Sequence, residues 1–87
     1  MYNIKIASKA KSDLKKIKRT PLERNFLNII DTLKRNPFEV SQSFEKLILP
    51  IKGFYSRRIN SQHRVVYRVD KQSKTVYIYS VYGPYTK

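Results

Sequence analysis

Hydrophobic and polar residues alternate at the start of the chain and then change their spacing. Residues 2–6 follow the two-residue period of a half-buried strand. From Ser8 the apolar spacing becomes that of one helix face, and lysines occupy the other faces. The chain therefore begins with a predicted strand and a basic amphipathic helix, whose apolar residues are Ala10, Leu14 and Ile17.

A second helix is predicted to begin at the stretch "TPLE". Thr20 can cap it, Pro21 takes the first helical position that tolerates proline, and Glu23 completes a capping box. Pro37 ends the helix because proline cannot continue it. Its apolar face consists of Leu22, Phe26, Ile29, Ile30 and Leu33.

The second half of the chain predicts a sheet. "EKLIL" indicates a brief strand, which the following Pro50 restricts to a short or edge position. After Gly53 three segments alternate again, near 54–59, 63–69 and 75–82, as in an antiparallel meander. This order predicts a single α+β domain over residues 1–87, with two N-terminal helices packed on one face of an antiparallel sheet.

The hairpin "FYSRRINSQHRVVYRV" carries unusual charge for a half-buried segment. A three-residue loop at "NSQ" would pair Arg58 with Arg64. Arginines directly opposite each other repel, so we expect an acid or a bound anion nearby, although a solvated outward face is the alternative. One predicted face holds Tyr55, Ile59, Val65 and Val69, and the other holds Ser56, Arg58, Arg64 and Arg68.

Composition restricts the partners. Nineteen Lys and Arg against six Asp and Glu give a net charge of +13, which favours an anionic partner, nucleic acid first and an acidic protein second. Without Cys and with one His, the chain offers neither disulfides nor a convincing metal-ligand set. Apolar runs are too short for a membrane span and the N-terminus is too polar for a secretory signal, so we predict a cytoplasmic protein.

The motifs "RNPFE", "FEKL", "GFYSRRINSQHRVVYRV" and "VYGPY" resemble the YoeB/Txe branch of the RelE-type toxins of bacterial type II toxin–antitoxin systems. The similarity spans nearly the whole chain. It implies a RelE-like α+β fold and a ribosome-dependent endoribonuclease that cleaves mRNA without metal or cofactor. It also implies a cognate acidic antitoxin of the YefM type that covers the active site.

The resemblance assigns roles to three residues of the predicted site. Metal-free RNA cleavage by the ribose 2′-hydroxyl needs a base, a cation for the phosphate and an acid for the leaving oxygen. Glu45 matches the family's general base, with a surface salt bridge as the alternative. Arg64 matches the arginine that stabilises the transition-state phosphate, and Arg58 matches one that helps to hold it.

The remaining charged residues of the hairpin receive weaker assignments. Arg57 and Arg68 are expected to contact the RNA backbone or to be solvated. Contacts to backbone phosphates fix the position of the RNA and require no catalytic group. His63 falls on the face opposite Arg64, at the hairpin end. We therefore predict a structural or turn role for this histidine rather than proton transfer.

The C-terminal "VYGPYTK" departs from the family, which usually ends in a His-Tyr pair whose His is the general acid. Pro84 has no proton to give, so Tyr85 is the predicted acid, with Tyr82 as a second candidate or an RNA contact. Losing an acid typically costs about 10²–10⁴-fold in rate, so attenuated activity is expected. The alternatives are a catalytically silent ribosome-binding protein of this fold or a gyrase inhibitor of the ParE type, although ParE-like toxins lack the glutamate and arginine set.

Overall fold

The computed structural model describes residues 1–47 and 53–81. These residues form two helices and one mixed five-stranded sheet, so the predicted α+β architecture is confirmed. No helix among them is long and apolar enough to cross a membrane. In chain order the elements are β1 (Asn3–Ile6), α1 (Ser8–Ile17), α2 (Pro21–Arg35), β2 (Glu45–Leu47), β3 (Phe54–Arg58), β4 (Arg64–Asp70) and β5 (Thr75–Ser80).

The strands lie in the order β1, β5, β4, β3, β2. β3, β4 and β5 form the predicted antiparallel meander, and β2, the predicted short edge strand, pairs antiparallel with β3. β1 pairs in parallel with β5 at the other edge, where Ile4 lies opposite Val76, so the sheet is mixed and not antiparallel throughout as predicted. The last strand of the meander therefore lies between β4 and the first strand of the chain.

The turn between the helices explains where α2 begins. The Thr20 hydroxyl accepts from the Leu22 N–H at 3.2 Å, so the predicted cap is present. The predicted capping box is not, because the Thr20 N–H donates instead to the Ile17 carbonyl at 3.0 Å. Glu23 accepts from the Arg19 N–H at 3.4 Å. α2 ends at Arg35, just before the predicted stop.

The helices pack on one face of the sheet. The inward side chains of β4 and β5 alternate with outward ones, as strand geometry requires. This confirms the predicted inward placement of Ile59 and Val65. The buried cluster between the helices and the sheet consists of Ala10, Ile17, Phe26, Ile29, Leu33, Ile59, Val65, Tyr67, Val76, Ile78 and Val81.

The hairpin register is the predicted one. Arg58 lies opposite Arg64, and the Ile59 N–H donates to the His63 carbonyl at 2.8 Å. The Asn60 side-chain oxygen accepts from the His63 N–H at 2.7 Å, which stabilises the turn. The backbone of His63 thus joins the turn through both its N–H and its C=O, in agreement with the predicted turn role.

Candidate active site

Glu45 and Arg64 meet on the sheet face opposite the helices, near the β2 edge. Arg64 Nη1 lies 3.3 Å from Glu45 Oε2 and donates to Ser56 Oγ at 3.2 Å. The register explains this contact, because Ser56 pairs with Glu45 on one side and with Val66 on the other. Arg64 precedes Val66 by two residues and so points to the same face.

The two charged side chains differ in exposure. The Glu45 side chain is 58% exposed and the Arg64 side chain is 23% exposed. Exposed ion pairs typically contribute about 0–1 kcal/mol to stability, so the fold has little need of this one. The pair also provides the acid that the opposed arginines Arg58 and Arg64 were expected to require.

The site is concave and small. Glu45, Leu47, Ser56 and Arg64 line a pocket on this face of the sheet. A carboxylate can accept a proton from a hydroxyl group, and a guanidinium can donate parallel hydrogen bonds to phosphate oxygens. The arrangement can therefore combine proton transfer and phosphate binding at one point.

Arg58 does not join this pocket. It is exposed at the end of β3, and it lines a different groove together with Asn25, Asn28 and Gln42. Its backbone N–H donates to the Gln42 carbonyl at 2.9 Å. Arg58 is therefore the cross-strand neighbour of Arg64, but it lines a groove other than the pocket of Glu45 and Arg64.

Arg68 is exposed on β4 and is held by an aromatic ring. Its guanidinium lies 4.1 Å from the ring centroid of Tyr77, the residue opposite it on β5. A cation–π contact of this kind keeps the charge at the surface, where it is available to an anion. Arg68 shares its sheet face with Arg64, as the register predicted.

The prediction that Arg57 contacts RNA or is solvated is wrong. Arg57 is 0% exposed, and its guanidinium lies against the loop that follows α2. The guanidinium donates to the hydroxyl of Tyr67 at 2.9 Å and to backbone carbonyls that include Pro37 and Glu39. The strand period carried a signal for this burial, because position 57 shares its face with Tyr55 and Ile59.

Ser56 is a site residue to which the sequence assigned a face but no role. It is 0% exposed, yet its hydroxyl accepts from Arg64 in the pocket wall. Its outward position between two charged strands was the available signal. The predicted residues Tyr82, Pro84 and Tyr85 lie outside the described residues, so their roles stay predictions.

A metal site is absent from the part of the chain that the structure describes. Across residues 1–47 and 53–81, no group of three or more His, Cys, Asp or Glu side chains could hold a metal ion. The pocket on the outward face of the sheet instead brings together one carboxylate, that of Glu45, and one guanidinium, that of Arg64.

Residues 22–82 match the family described as the YoeB-like toxin of bacterial type II toxin–antitoxin systems. The chain belongs to this family. The match includes both Glu45 and Arg64, and it confirms the resemblance that the hairpin motifs indicated.

Sequence relatives carry the same family name over part of their length. Toxin YoeB from Synechocystis sp. is 38% identical over 58 residues, which cover 67% of this chain and 60% of that protein. Toxin YoeB from Escherichia coli is 44% identical over 45 residues, or 52% and 54% of the two chains. This chain thus spans little more than half the length of the curated relatives it matches.

Solved structures match nearly the whole chain. The YoeB/ParE toxin from Agrobacterium tumefaciens has a TM-score of 0.87 at 26% identity, covering 95% of this chain and 99% of that one. A YoeB-YefM complex from Staphylococcus aureus contains a chain with a TM-score of 0.81 at 31% identity, covering 98% and 99%. The YoeB-like toxins therefore share this chain's helix pair and sheet.

Proposed function

We propose that this YoeB-like toxin is a ribosome-dependent endoribonuclease that cleaves mRNA in the cytoplasm. The observation that carries the proposal is the 3.3 Å contact between the Glu45 carboxylate and the Arg64 guanidinium, in a pocket of a chain with net charge +13. Those two groups suit a reaction that moves a proton and neutralises a phosphate.

The proposed reaction begins with the 2′-hydroxyl of the ribose. An oxygen of Glu45 takes the hydroxyl proton while the 2′-oxygen bonds to the adjacent phosphorus. Arg64 donates to the phosphate oxygens as negative charge accumulates on them, and the bond from phosphorus to the 5′-oxygen breaks. The products are a 2′,3′-cyclic phosphate and a 5′-hydroxyl, whose proton must come from an acid.

Tyr85 is the proposed acid, with Tyr82 as the second choice. A phenol is fully protonated at neutral pH and can donate to a developing alkoxide, although its pKa near 10 makes it a weaker acid than histidine. The family's histidine position holds Pro84 here. This substitution favours a second candidate function, a protein of the same fold that occupies the ribosome with little or no cleavage.

Arg58 and Arg68 are proposed to hold the RNA backbone around the site. Both are exposed, and Arg68 lies on the same sheet face as Arg64. Each phosphate that they neutralise on single-stranded RNA should add about −0.7 to the slope of log affinity against log salt. Binding that is flat between low and physiological salt would contradict these contacts.

A cognate antitoxin is the proposed partner. The similar Staphylococcus aureus chain was solved as a YoeB-YefM complex, and this chain carries a large positive charge. We propose a YefM-like antitoxin whose acidic, disordered segment folds over the basic face and covers Glu45 and Arg64. Its presence should abolish cleavage at equimolar ratio.

A cleavage assay on ribosome-bound mRNA tests the function. The variants are Glu45→Gln, Arg64→Ala and Pro84→His, with Asp31→Asn as a control for loss of an exposed acid away from the site. We expect the first two to lose about 10²–10⁴-fold in rate and the control to match the wild type. Cleavage only after Pro84→His would establish the silent candidate, and unchanged rates in both site variants would contradict the assigned roles.

A further inference from the structure

We propose that Arg57 is a positioning residue, whose buried guanidinium fixes the loop before β2 and thereby sets the position of Glu45. The loop comprises residues 36–44 and joins α2 to β2. The catalytic part of this inference rests on the proposed function. The structural part can be tested without any RNA.

The guanidinium bonds the loop along most of its length. Its Nε donates to the Tyr67 hydroxyl at 2.9 Å, and Nη1 and Nη2 both point into the loop. The acceptors there are the carbonyl oxygens of Ser41 at 2.9 Å, Pro37 at 3.0 Å and Glu39 at 2.8 Å, with Gln42 Oε1 at 3.4 Å.

The loop needs such support because its own backbone is strained. Gln42 and Ser43 have φ values of 53° and 55°, in the left-handed region that non-glycine residues avoid. Each such residue costs on the order of 1 kcal/mol, and it persists only when the surroundings hold it. The Arg57 bonds to the Ser41 carbonyl and the Gln42 side chain hold the backbone next to this turn.

Tyr67 extends the same network into β4. Its hydroxyl accepts from Arg57 Nε and donates to the Pro37 carbonyl at 2.7 Å. Both side chains are 0% exposed, so the bonds are protected from water. The start of the loop is therefore attached to two central strands rather than to the surface.

The end of the loop is where this network reaches the site. Arg57 lies 4.8 Å from the ring centroid of Phe44, the residue immediately before Glu45. Glu45 is the first residue of a three-residue strand, which lies at the edge of the sheet among the described residues and pairs with β3. The short ladder fixes one side of Glu45 and the loop fixes the other, so movement of the loop would shift the carboxylate relative to Arg64.

The first experiment compares Arg57→Lys with the control Arg35→Lys. Lysine keeps the charge at position 57 but lacks the planar fork, whereas Arg35 bonds only the outside of the loop, at 3.4 Å to Glu39. In the ribosome assay we expect Arg57→Lys to lower kcat by about 10²-fold with KM nearly unchanged, since a 1 Å misplacement has roughly that effect. Arg35→Lys should match the wild type.

A double-mutant cycle separates positioning from general damage. In a Glu45→Gln background Arg57→Lys should cause little further loss, because its effect passes through the missing carboxylate. An equal loss in both backgrounds would overturn the proposal. Tyr67→Phe, which removes two bonds of the network but keeps the ring, should behave in the same way and carries the test if Arg57→Lys does not fold.

Amide hydrogen exchange provides the readout that does not need cleavage. The Phe44 N–H donates to the Ser41 carbonyl at 2.9 Å, and it should exchange at least about tenfold faster in Arg57→Lys or Tyr67→Phe than in Arg35→Lys. Amides of β4 and β5 should keep their rates. Unchanged exchange at Phe44, or equal acceleration throughout the sheet, would overturn the proposal, whereas absent cleavage with the expected exchange would contradict only the proposed function.

Discussion

Arg57 and Arg64 belong to the same hairpin but occupy opposite situations. Arg57 is fully buried and bonded chiefly to backbone carbonyls, whereas Arg64 is 23% exposed and bonded to two side chains in a pocket. The buried guanidinium is committed to holding the chain in place. The exposed one is free to exchange the Glu45 oxygen for a phosphate oxygen in the proposed reaction, so exposure and acceptor type, rather than charge, distinguish the structural arginine from the proposed catalytic one.

The largest expected effect is on stability, when the buried Arg57 is replaced. Arg57→Ala would remove a fully buried guanidinium, its hydrogen bonds to the Tyr67 hydroxyl and to the loop carbonyls, and the volume that it fills, so we expect a loss of about 3–5 kcal/mol in the free energy of unfolding. Urea denaturation measures this loss. Arg64→Ala should lose less than about 1 kcal/mol in the same experiment, and equal losses would remove the distinction.

The next largest effect is on the cleavage rate, when the exposed Arg64 is replaced. Arg64→Lys keeps a positive charge but loses the planar fork, so we expect ribosome-dependent cleavage to fall about 10²–10³-fold. The urea midpoint should stay close to that of the wild type. A cleavage rate within about threefold of the wild type would show that a point charge suffices at this position.

Unfolding at alkaline pH tests whether the Tyr67 hydroxyl is shielded from water, as its 0% exposure implies. Burial raises the pKa of Tyr67 from 10.0 to about 12, outweighing the opposite effect of Arg57. Its contribution to stability is therefore fully present below pH 10 and is lost as the pH rises to about 12. At about 1.4 kcal/mol per pH unit the loss is about 3 kcal/mol.

The measurement compares urea unfolding of the wild type and Tyr67→Phe at several pH values from neutral to 12. The difference between the two proteins should change only in the alkaline range. Parallel curves across the whole range would indicate that this phenol ionises as readily in the folded state as in the unfolded chain.

The smallest expected effect comes from the N-terminal cap of α2, which serves as a control for modest destabilisation away from the site. Thr20 caps α2 far along the chain from either arginine, and Thr20→Ala should cost about 1 kcal/mol in stability without changing the cleavage rate. Circular dichroism melts and the ribosome assay measure the two quantities. A matching loss of cleavage would mean that modest destabilisation alone lowers activity, and the rate effects at Arg57 would then need the same correction.

Much of the site's location was predictable from local pattern. The alternation from Phe54 onward, with a turn at Asn60, placed Arg58 opposite Arg64 and both on the outward face. The Glu45 role came from the resemblance to YoeB-like toxins, because a lone acid in an irregular segment has no periodic signal of its own. Its contact with Arg64 depends on how β2 pairs with β3, across 19 residues of sequence separation.

The burial of Arg57 could not be predicted from the sequence, for a physical reason. The strand period pointed this side chain inward, but arginine is almost never fully buried without partners, so residue type argued for the surface. Its partners are mainly carbonyls of the loop that follows α2. Every residue carries such a carbonyl, so no sequence signal marks which of them will converge.

Period and turn chemistry were enough to establish the helix pair, the meander and the two faces of the hairpin, because backbone geometry imposes these features locally. The parallel pairing of β1 with β5, the meeting of Glu45 with Arg64 and the enclosure of Arg57 arose only when distant segments packed together. These contacts join residues that are far apart in the sequence, so no local pattern predicts them. Their positions depend on how the helices and strands pack around the core.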